Sequence, residues 1–318
     1  MNRHAKIYHY SLPLREPLLL PGHELNTREG LLLKLGNQWG EIAPLPGFSR
    51  ESLQDAQDEL IEVVSRLQDG LKAKATQPSV QFGLDCAQYS WPSAPPKLLA
   101  PRHLLQGRPD RVAKHWRQWF GPYPKQIKVK VGRYPIAHEV ALINELCRLA
   151  PDSKLILDAN RSWTKEEAWS ICNLLDNKRI DYVEEPCATL EENRFIATHT
   201  SLPVALDEYL SEHKKIPEFD NLKAVILKPT LIGSIDKCKQ LIKSARERGA
   251  RTIISSSFES TIGINCLSRL AAEWAPGEVH GIDTLKFFSH DLVNPPFVST
   301  EKRPLLQESE LNLVWQNS

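Results

Sequence analysis

Residues 127–132 read IKVKVG, inside the longer run YPKQIKVKVGRYP. Apolar side chains at Ile127, Val129 and Val131 alternate with Lys128 and Lys130. The run is short and β-branched, which predicts a strand. Side chains two apart on a strand share a face, so both ammonium groups stand on the same side. Taken alone, that pattern fits a wetted face or an edge strand guarded by charge. What the face looks onto depends on the segments that follow.

From about residue 100 to 290, short apolar segments alternate with helical ones. The strand candidates are QIKVKV, KLILDAN, DYVEEP, PVALDEY, KAVILKP and TIISSS, and the helices between them include HEVALINELCRLA, TKEEAWSICNLLDN, GSIDKCKQLIKSARERGA and STIGINCLSRLAAEW. Thr164 and Glu167 make a capping box, and Gly249 stops a helix whose end carries Arg246 and Arg248. Such alternation implies parallel strands joined by crossover helices. Six units in a row favour a closed barrel over an open sheet.

Each strand candidate ends in a group that can do chemistry. In order these are Lys130, Asp158, Glu184 or Glu185, Asp207, Lys228, and the run Ser255 to Ser257. In a parallel barrel the carboxyl ends of all strands open onto one face. Singly, Asp158 reads as a turn former, Glu184-Glu185-Pro186 as a solvated turn, and Lys228 as a surface lysine. Together they predict a site. Carboxylates gathered there repel one another and are costly to bury unpaired. A divalent cation resolves this, and oxygen donors without Cys or His partners point to Mg2+. A lysine beside a cation or another lysine gives up its proton more readily and can serve as a base.

The preceding part reads differently. AKIYHYSL predicts a strand, and TREGLLLKLGNQWGEIAPL predicts a hairpin turning at Gly36-Asn37. A helix opens at Ser49 or Ser52, and a second is expected around SVQFGLDCAQYSW. The proline-rich PSAPPK at 92–97 is the expected boundary. Residues 1–97 thus form an α+β domain, 98–290 a barrel, and the tail from about 290 to 318 ends in a strand, ELNLVWQNS, that returns to the N-terminal domain.

The 318-residue chain is 41% hydrophobic and 25% charged, with a net charge of +1, which gives no electrostatic case for nucleic acid or an anionic membrane. The start lacks an apolar targeting segment, and no later run is long enough for a membrane span. The cysteines at 86, 147, 172, 187, 238 and 266 have no metal-knuckle or redox-pair spacing, so reduced thiols in a cytoplasmic protein are expected.

The ordered set Lys-x-Lys, Asp, Glu-Glu-Pro, Asp-Glu and Lys-Pro resembles the muconate-lactonizing subgroup of the enolase superfamily. WGEIAPLPGFS (39–49), LDANRSWT (157–164), VEEPC (183–187), LKPTLIGS (227–234) and ISSSFESTIG (254–263) are together similar to its o-succinylbenzoate synthase branch. The resemblance implies an N-terminal α+β capping domain, completed by the C-terminal tail, and a modified TIM barrel of the (β/α)7β type. It implies Mg2+ on Asp158, Glu184 and Asp207, with Lys130 and Lys228 as the catalytic pair, the lysine-plus-metal pattern of enolase-superfamily sites. Asn160, Ser255 and Ser256 become candidates for binding the substrate's carboxylates, with Lys128, Glu185 and Glu208 behind them. Lys128 would tune Lys130, and loops near 13–26 and 44–49 would exclude water.

The implied reaction is a Mg-dependent syn-elimination of water from 2-succinyl-6-hydroxy-2,4-cyclohexadiene-1-carboxylate, giving 2-succinylbenzoate for menaquinone biosynthesis. Lys130 would act first as base and then as acid. Ile156 stands where some members carry a basic residue, and DEYL replaces the branch's common DES. The same core would serve a dipeptide epimerase or an N-acylamino acid racemase. A more distant alternative is a Schiff-base barrel aldolase with Lys228 as nucleophile.

Overall fold

The computed structural model describes residues 4–91, 103–294, 305–306 and 308–317. In chain order the strands and helices are β1 (Ala5–Leu20), β2 (His23–Leu35), β3 (Gln38–Ile42), α1 (Leu53–Gln68), α2 (Pro78–Gln88), β4 (His103–Leu105), α3 (Pro109–Arg117), β5 (Gln126–Lys130), α4 (Ile136–Leu149), β6 (Lys154–Asp158), α5 (Lys165–Leu174), β7 (Ile180–Glu184), α6 (Leu190–His199), β8 (Val204–Leu206), α7 (Glu208–His213), β9 (Leu222–Leu227), α8 (Pro229–Ile232), α9 (Ile235–Glu247), β10 (Arg251–Ile254), α10 (Thr261–Trp274), β11 (Val293–Asn294), β12 (Leu305–Leu306) and β13 (Asn312–Gln316). The chain divides into two compact units. One comprises Met1–Ala100, Leu227–Gln240 and Ile254–Ser318, the other Pro101–Ile226 and Leu241–Ile253. The proline-rich break at 92–97, and residues 295–304 of the tail, lie outside the described residues.

The first unit is built on an antiparallel sheet in the order β13-β1-β2-β3. Both of its faces are covered, which is why β2 carries the unbroken run Leu31-Leu32-Leu33. Leu31, Leu33 and Leu35 pack with Ala56, Leu60 and Val64 of α1 and Leu84 of α2. Leu32 faces the other way, among Tyr8, Tyr10, Leu12 and Phe288. Gly36 takes φ +60° at the first position of the β2–β3 turn, as expected for a glycine there. Ser52 caps α1, and the final strand returns to pair with β1, as the sequence predicts. One expectation fails: residues 13–26 are not a loop. β1 and β2 continue as a paired arm, with Leu18 opposite Leu25 and Leu20 opposite His23. The prolines at 13 and 17 are absorbed by a register shift between Pro13 and Leu18.

The second unit carries most of a seven-stranded sheet whose order, β10-β9-β8-β7-β6-β5-β4, follows the chain. The neighbours from β4 to β9 pair in parallel. This is the run of parallel strands expected from the alternation. Its first strand, β4, is only three residues long and escapes a periodicity reading. One face, through Ile127, Val129, Leu155, Leu157 and Val183, packs on α3 to α6. The opposite face carries Ile156, Tyr182, Ala205, Ala224, Ile226 and Ile253. Lys128 lies in register with Ile156, and Ile156 with Tyr182, so the two lysines of β5 belong to this second face. Among the described residues, no helix is long and apolar enough to cross a membrane.

β3 and α2 touch backbone to backbone. A Cβ on Gly40 would stand 1.9 Å from the Gly83 carbonyl oxygen. Gly40→Ala is therefore expected to cost about 1–3 kcal/mol, read as a lower urea midpoint at unchanged m-value. Gly277→Ala is the control, because an added Cβ there meets nothing within 4 Å.

Candidate active site

The site begins with register. Lys130 pairs with Asp158, Asp158 with Glu184, and Glu184 with Ala205, so three ionisable residues form one row at the carboxyl ends of β5, β6 and β7. Partners in a parallel sheet point to the same face, here the one bearing Ile156 and Tyr182. Asp207 follows β8 at the position before α7, and Lys228 follows β9.

The two lysines of β5 share one partner, Asp158, and differ in the second. Lys128 Nζ lies 2.6 Å from Asp158 Oδ2 and 2.6 Å from Glu184 Oε2. Lys130 Nζ donates to the same Asp158 oxygen at 2.6 Å and to Asn160 Oδ1 at 2.5 Å. Burial alone would raise the Asp158 carboxyl, but the two ammonium groups outweigh it and hold it well below the usual carboxylate range. Glu184 is 1% exposed, and its Oε1 has no hydrogen-bond partner. A buried carboxylate oxygen without a donor is costly and is suited to a cation. Among the described residues, no three carboxylate, imidazole or thiol groups converge on one point. Between Asp158 and Glu184 stands the Lys128 ammonium, which already counters their charge.

Glu184 and Glu185 divide their work, as strand alternation requires. Glu185 Oε1 accepts the backbone N–H groups of Asp207 at 2.9 Å and Tyr209 at 2.7 Å. It thereby fixes the turn that carries Asp207. Burial, then the Glu208 charge, push its carboxyl up to about 7 against the pull of Arg161. Arg161 donates through Nε to Glu185 Oε2 and pairs with Glu212. Asn160 joins Lys130 to Glu208, donating from Nδ2 to Glu208 Oε1 at 3.1 Å.

Arg161 and Glu139 were not foreseen. Glu139, 2% exposed, accepts the backbone N–H groups of Gly132, Arg133 and Tyr134 and so shapes the turn after Lys130. In the sequence it reads as an ordinary acidic residue in the first turn of a helix. Gly132 was legible as a glycine but not for its reason: at φ +76°, a Cβ there would stand 1.7 Å from Ser162 Oγ.

In the first unit, Lys228 Nζ lies 5.7 Å from the centre of the Phe48 ring, a cation–π contact. The Ser255 hydroxyl donates to the Gly281 carbonyl at 3.2 Å. The Ser256 hydroxyl shares that carbonyl and lies 2.9 Å from Thr284 Oγ1. Both hydroxyls therefore anchor the 281–284 segment in this structure. Ile156 is fully buried between Lys128 and Tyr182, in the row two residues before Lys130, Asp158 and Glu184.

Comparison with known proteins identifies the family. Residues 2–91 match the family described as MenC, N-terminal domain, and residues 111–304 match the enolase C-terminal domain-like family. The o-succinylbenzoate synthase of Edwardsiella ictaluri (strain 93-146) is 37% identical, over 99% of this chain and 99% of that protein. The enzyme of the same name from Pectobacterium atrosepticum is 36% identical, over 99% and 100%. This chain belongs to the o-succinylbenzoate synthase family. Its fold is shared with the Thermosynechococcus elongatus o-succinylbenzoate synthase, solved with Mg in the active site, at a TM-score of 0.71, 23% identity and coverage of 94% of this chain and 97% of that one. It is shared equally with the L-Ala-D/L-Glu epimerase from Bacillus subtilis, at a TM-score of 0.74, 19% identity and coverage of 92% and 93%. Membership makes the chain an enolase-superfamily lyase.

Lys128 counters two buried carboxylates at once. Lys128→Met is expected to cost about 3–5 kcal/mol in chelator-treated protein, measured by chemical denaturation. Breaking the exposed Arg117–Glu145 pair with Arg117→Ala should leave the denaturation midpoint nearly unchanged.

Proposed function

We propose that the chain dehydrates 2-succinyl-6-hydroxy-2,4-cyclohexadiene-1-carboxylate to 2-succinylbenzoate, a step of menaquinone biosynthesis, in the cytoplasm. The observation that carries the reading is the in-register row Lys130, Asp158 and Glu184, with Asn160 on the Lys130 ammonium. The two family matches support a capping domain over 1–97, completed by 290–318, and a (β/α)7β barrel over 98–290.

Lys130, as the neutral amine, takes the proton from the ring carbon that bears the carboxylate. The electron pair left there moves into the ring as the C–O bond to the neighbouring hydroxyl breaks. The ammonium now on Lys130 returns the same proton to the departing hydroxyl, which leaves as water. One group on one ring face gives a syn-elimination, and the ring becomes aromatic. Lys228 supplies positive charge to the developing anion and orients the ring. Asn160 sets the Lys130 amine by its amide oxygen.

Asp158, Glu184 and Asp207 fit a divalent cation by their donor chemistry, and the Glu184 oxygen that lacks a donor supports this. Bound there, Mg2+ would lend charge to the substrate carboxylate as the ring carbon loses its proton. Glu185, through the Asp207 amide, and Arg161, through Glu185, keep that third carboxylate in place. Ser255 and Ser256 remain candidates for the substrate's other carboxylate, provided the 281–284 segment yields their hydroxyls.

Purified protein is expected to dehydrate the cyclohexadiene substrate, with activity lost in EDTA and restored by Mg2+. Lys130→Ala, Lys228→Ala and Asp158→Asn should each lower kcat by about 10²–10⁴-fold while far-UV circular dichroism is unchanged. Epimerisation of dipeptides with no dehydration would overturn the reading in favour of an epimerase. Turnover that survives chelator, with borohydride trapping on Lys228, would point instead to Schiff-base chemistry.

A further inference from the structure

A buried polar hub lies behind Lys228 within the first unit. Glu259 is 1% exposed, and each of its carboxylate oxygens is used. Oε1 accepts the Thr230 hydroxyl at 2.5 Å, and Oε2 accepts the Ser257 amide at 2.6 Å. Thr230 lies two residues after Lys228 on α8, whose first turn closes on the Lys228 carbonyl: the amides of Leu231 and Ile232 both donate to it. The carboxylate thus ties the turn that presents Lys228 to the segment that follows β10.

Arg28, 2% exposed, holds the other side of the same hub. Its guanidinium donates to the carbonyls of Ser257 and Phe258 and to those of Ala43 and Pro44. Residues 43 and 44 lead into the tight turn that presents Phe48, where the amides of Phe48 and Ser49 return to the Leu45 carbonyl. The ammonium of Lys228 and the ring beneath it are therefore set by one buried framework. Gly263 is part of it: a Cβ there would stand 2.5 Å from Glu259 Cβ and 2.9 Å from Glu41 Oε2.

We infer that Glu259 is a positioning residue for Lys228, acting through the Thr230 hydroxyl to aim the ammonium over Phe48. A carboxylate suits the task because it accepts from a hydroxyl and an amide at once, without a mobile donor of its own. The inference rests on the assignment of Lys228 to the reacting site, and its test separates the two.

Thr230→Val keeps shape and removes the hydroxyl, and Thr230→Ser keeps the hydroxyl. Lys228 is read directly by a pulse of acetic anhydride and peptide mass spectrometry, alongside steady-state kinetics. Thr230→Val is expected to raise Lys228 labelling about threefold relative to the other lysines, as a local loosening would. It should also lower kcat about 10-fold with KM within about twofold, the split expected of misaimed chemistry. Thr230→Ser should restore both. Unchanged Lys228 labelling in Thr230→Val, or equal defects in Val and Ser, overturns the inference. Altered labelling with unchanged turnover upholds the positioning and removes Lys228 from the reaction, an outcome that Lys228→Ala checks on its own. Should Thr230→Val not fold, Glu259→Asp, which withdraws the carboxylate by one methylene, must give the same labelling and kinetic changes.

Discussion

Everything at the carboxyl ends of β5 to β7 depends on how Asp158 is kept charged inside the protein. The residue is 1% exposed, and one of its oxygens meets both Lys128 and Lys130 at 2.6 Å. Removing such charges from water costs several kcal/mol per ion, and only close pairing offsets the cost. The pairing in turn needs the lysines on the same face as the carboxylates, and a strand supplies that with a period of two. A one-residue slip of β5 would send Lys128 and Lys130 into the apolar layer of Leu155, Leu157 and Val183 under the helices. Register and site are thus one constraint. The apolar residues of β5 fix which way its lysines face.

A second device recurs around this row. Buried glutamates accept backbone amides and hold the turns that leave the strands. Glu139 shapes the turn after Lys130, and Glu185 the turn carrying Asp207. In the other unit, Glu41 accepts the amides of Ser260 and Gly263 at the start of α10, and Glu259 accepts that of Ser257. Amides at a helix start carry partial positive charge, which favours a carboxylate there. Charge-assisted hydrogen bonds are stronger than neutral ones, so a few such groups stiffen loops that short strands alone would leave loose.

Much of this was legible from strand-end residues. Lys130, Asp158, Glu184, Asp207 and Lys228 fall at the ends of β5 to β9 as the alternation predicts, and the capping box of Thr164 with Glu167 and the hairpin at Gly36 also appear. What escaped had no local signal. β4 is three residues long, and α7 and α8 have only six and four. The far arm of β1 and β2 was expected as a loop from the resemblance alone. Glu139, Arg161 and Glu259 look like ordinary polar residues until the fold brings distant amides to them. That the Lys128 ammonium bridges two carboxylates also had no local signal: the strands place Asp158 and Glu184 within its reach.

Backbone strain follows the same map. Among the described residues, six that are not glycine have positive φ, and Asn160, Arg161, Glu185 and Phe258 are four of them. The first three directly follow the row, and Phe258 sits in the segment after β10 held by Arg28. Left-handed backbone costs a side-chain-bearing residue roughly 1–3 kcal/mol and persists only where its surroundings enforce it. Here the enforcing partners are visible. Asn160 is tied to Lys130 and Glu208, and Arg161 to Glu185 and Glu212. The reversal after Asp158 is what turns the Asn160 amide back onto Lys130. An extended continuation of β6 would carry it away. The strained turn and the buried ion pairs therefore support each other: the ion pairs enforce the turn, and the turn delivers the polar group that sets the lysine.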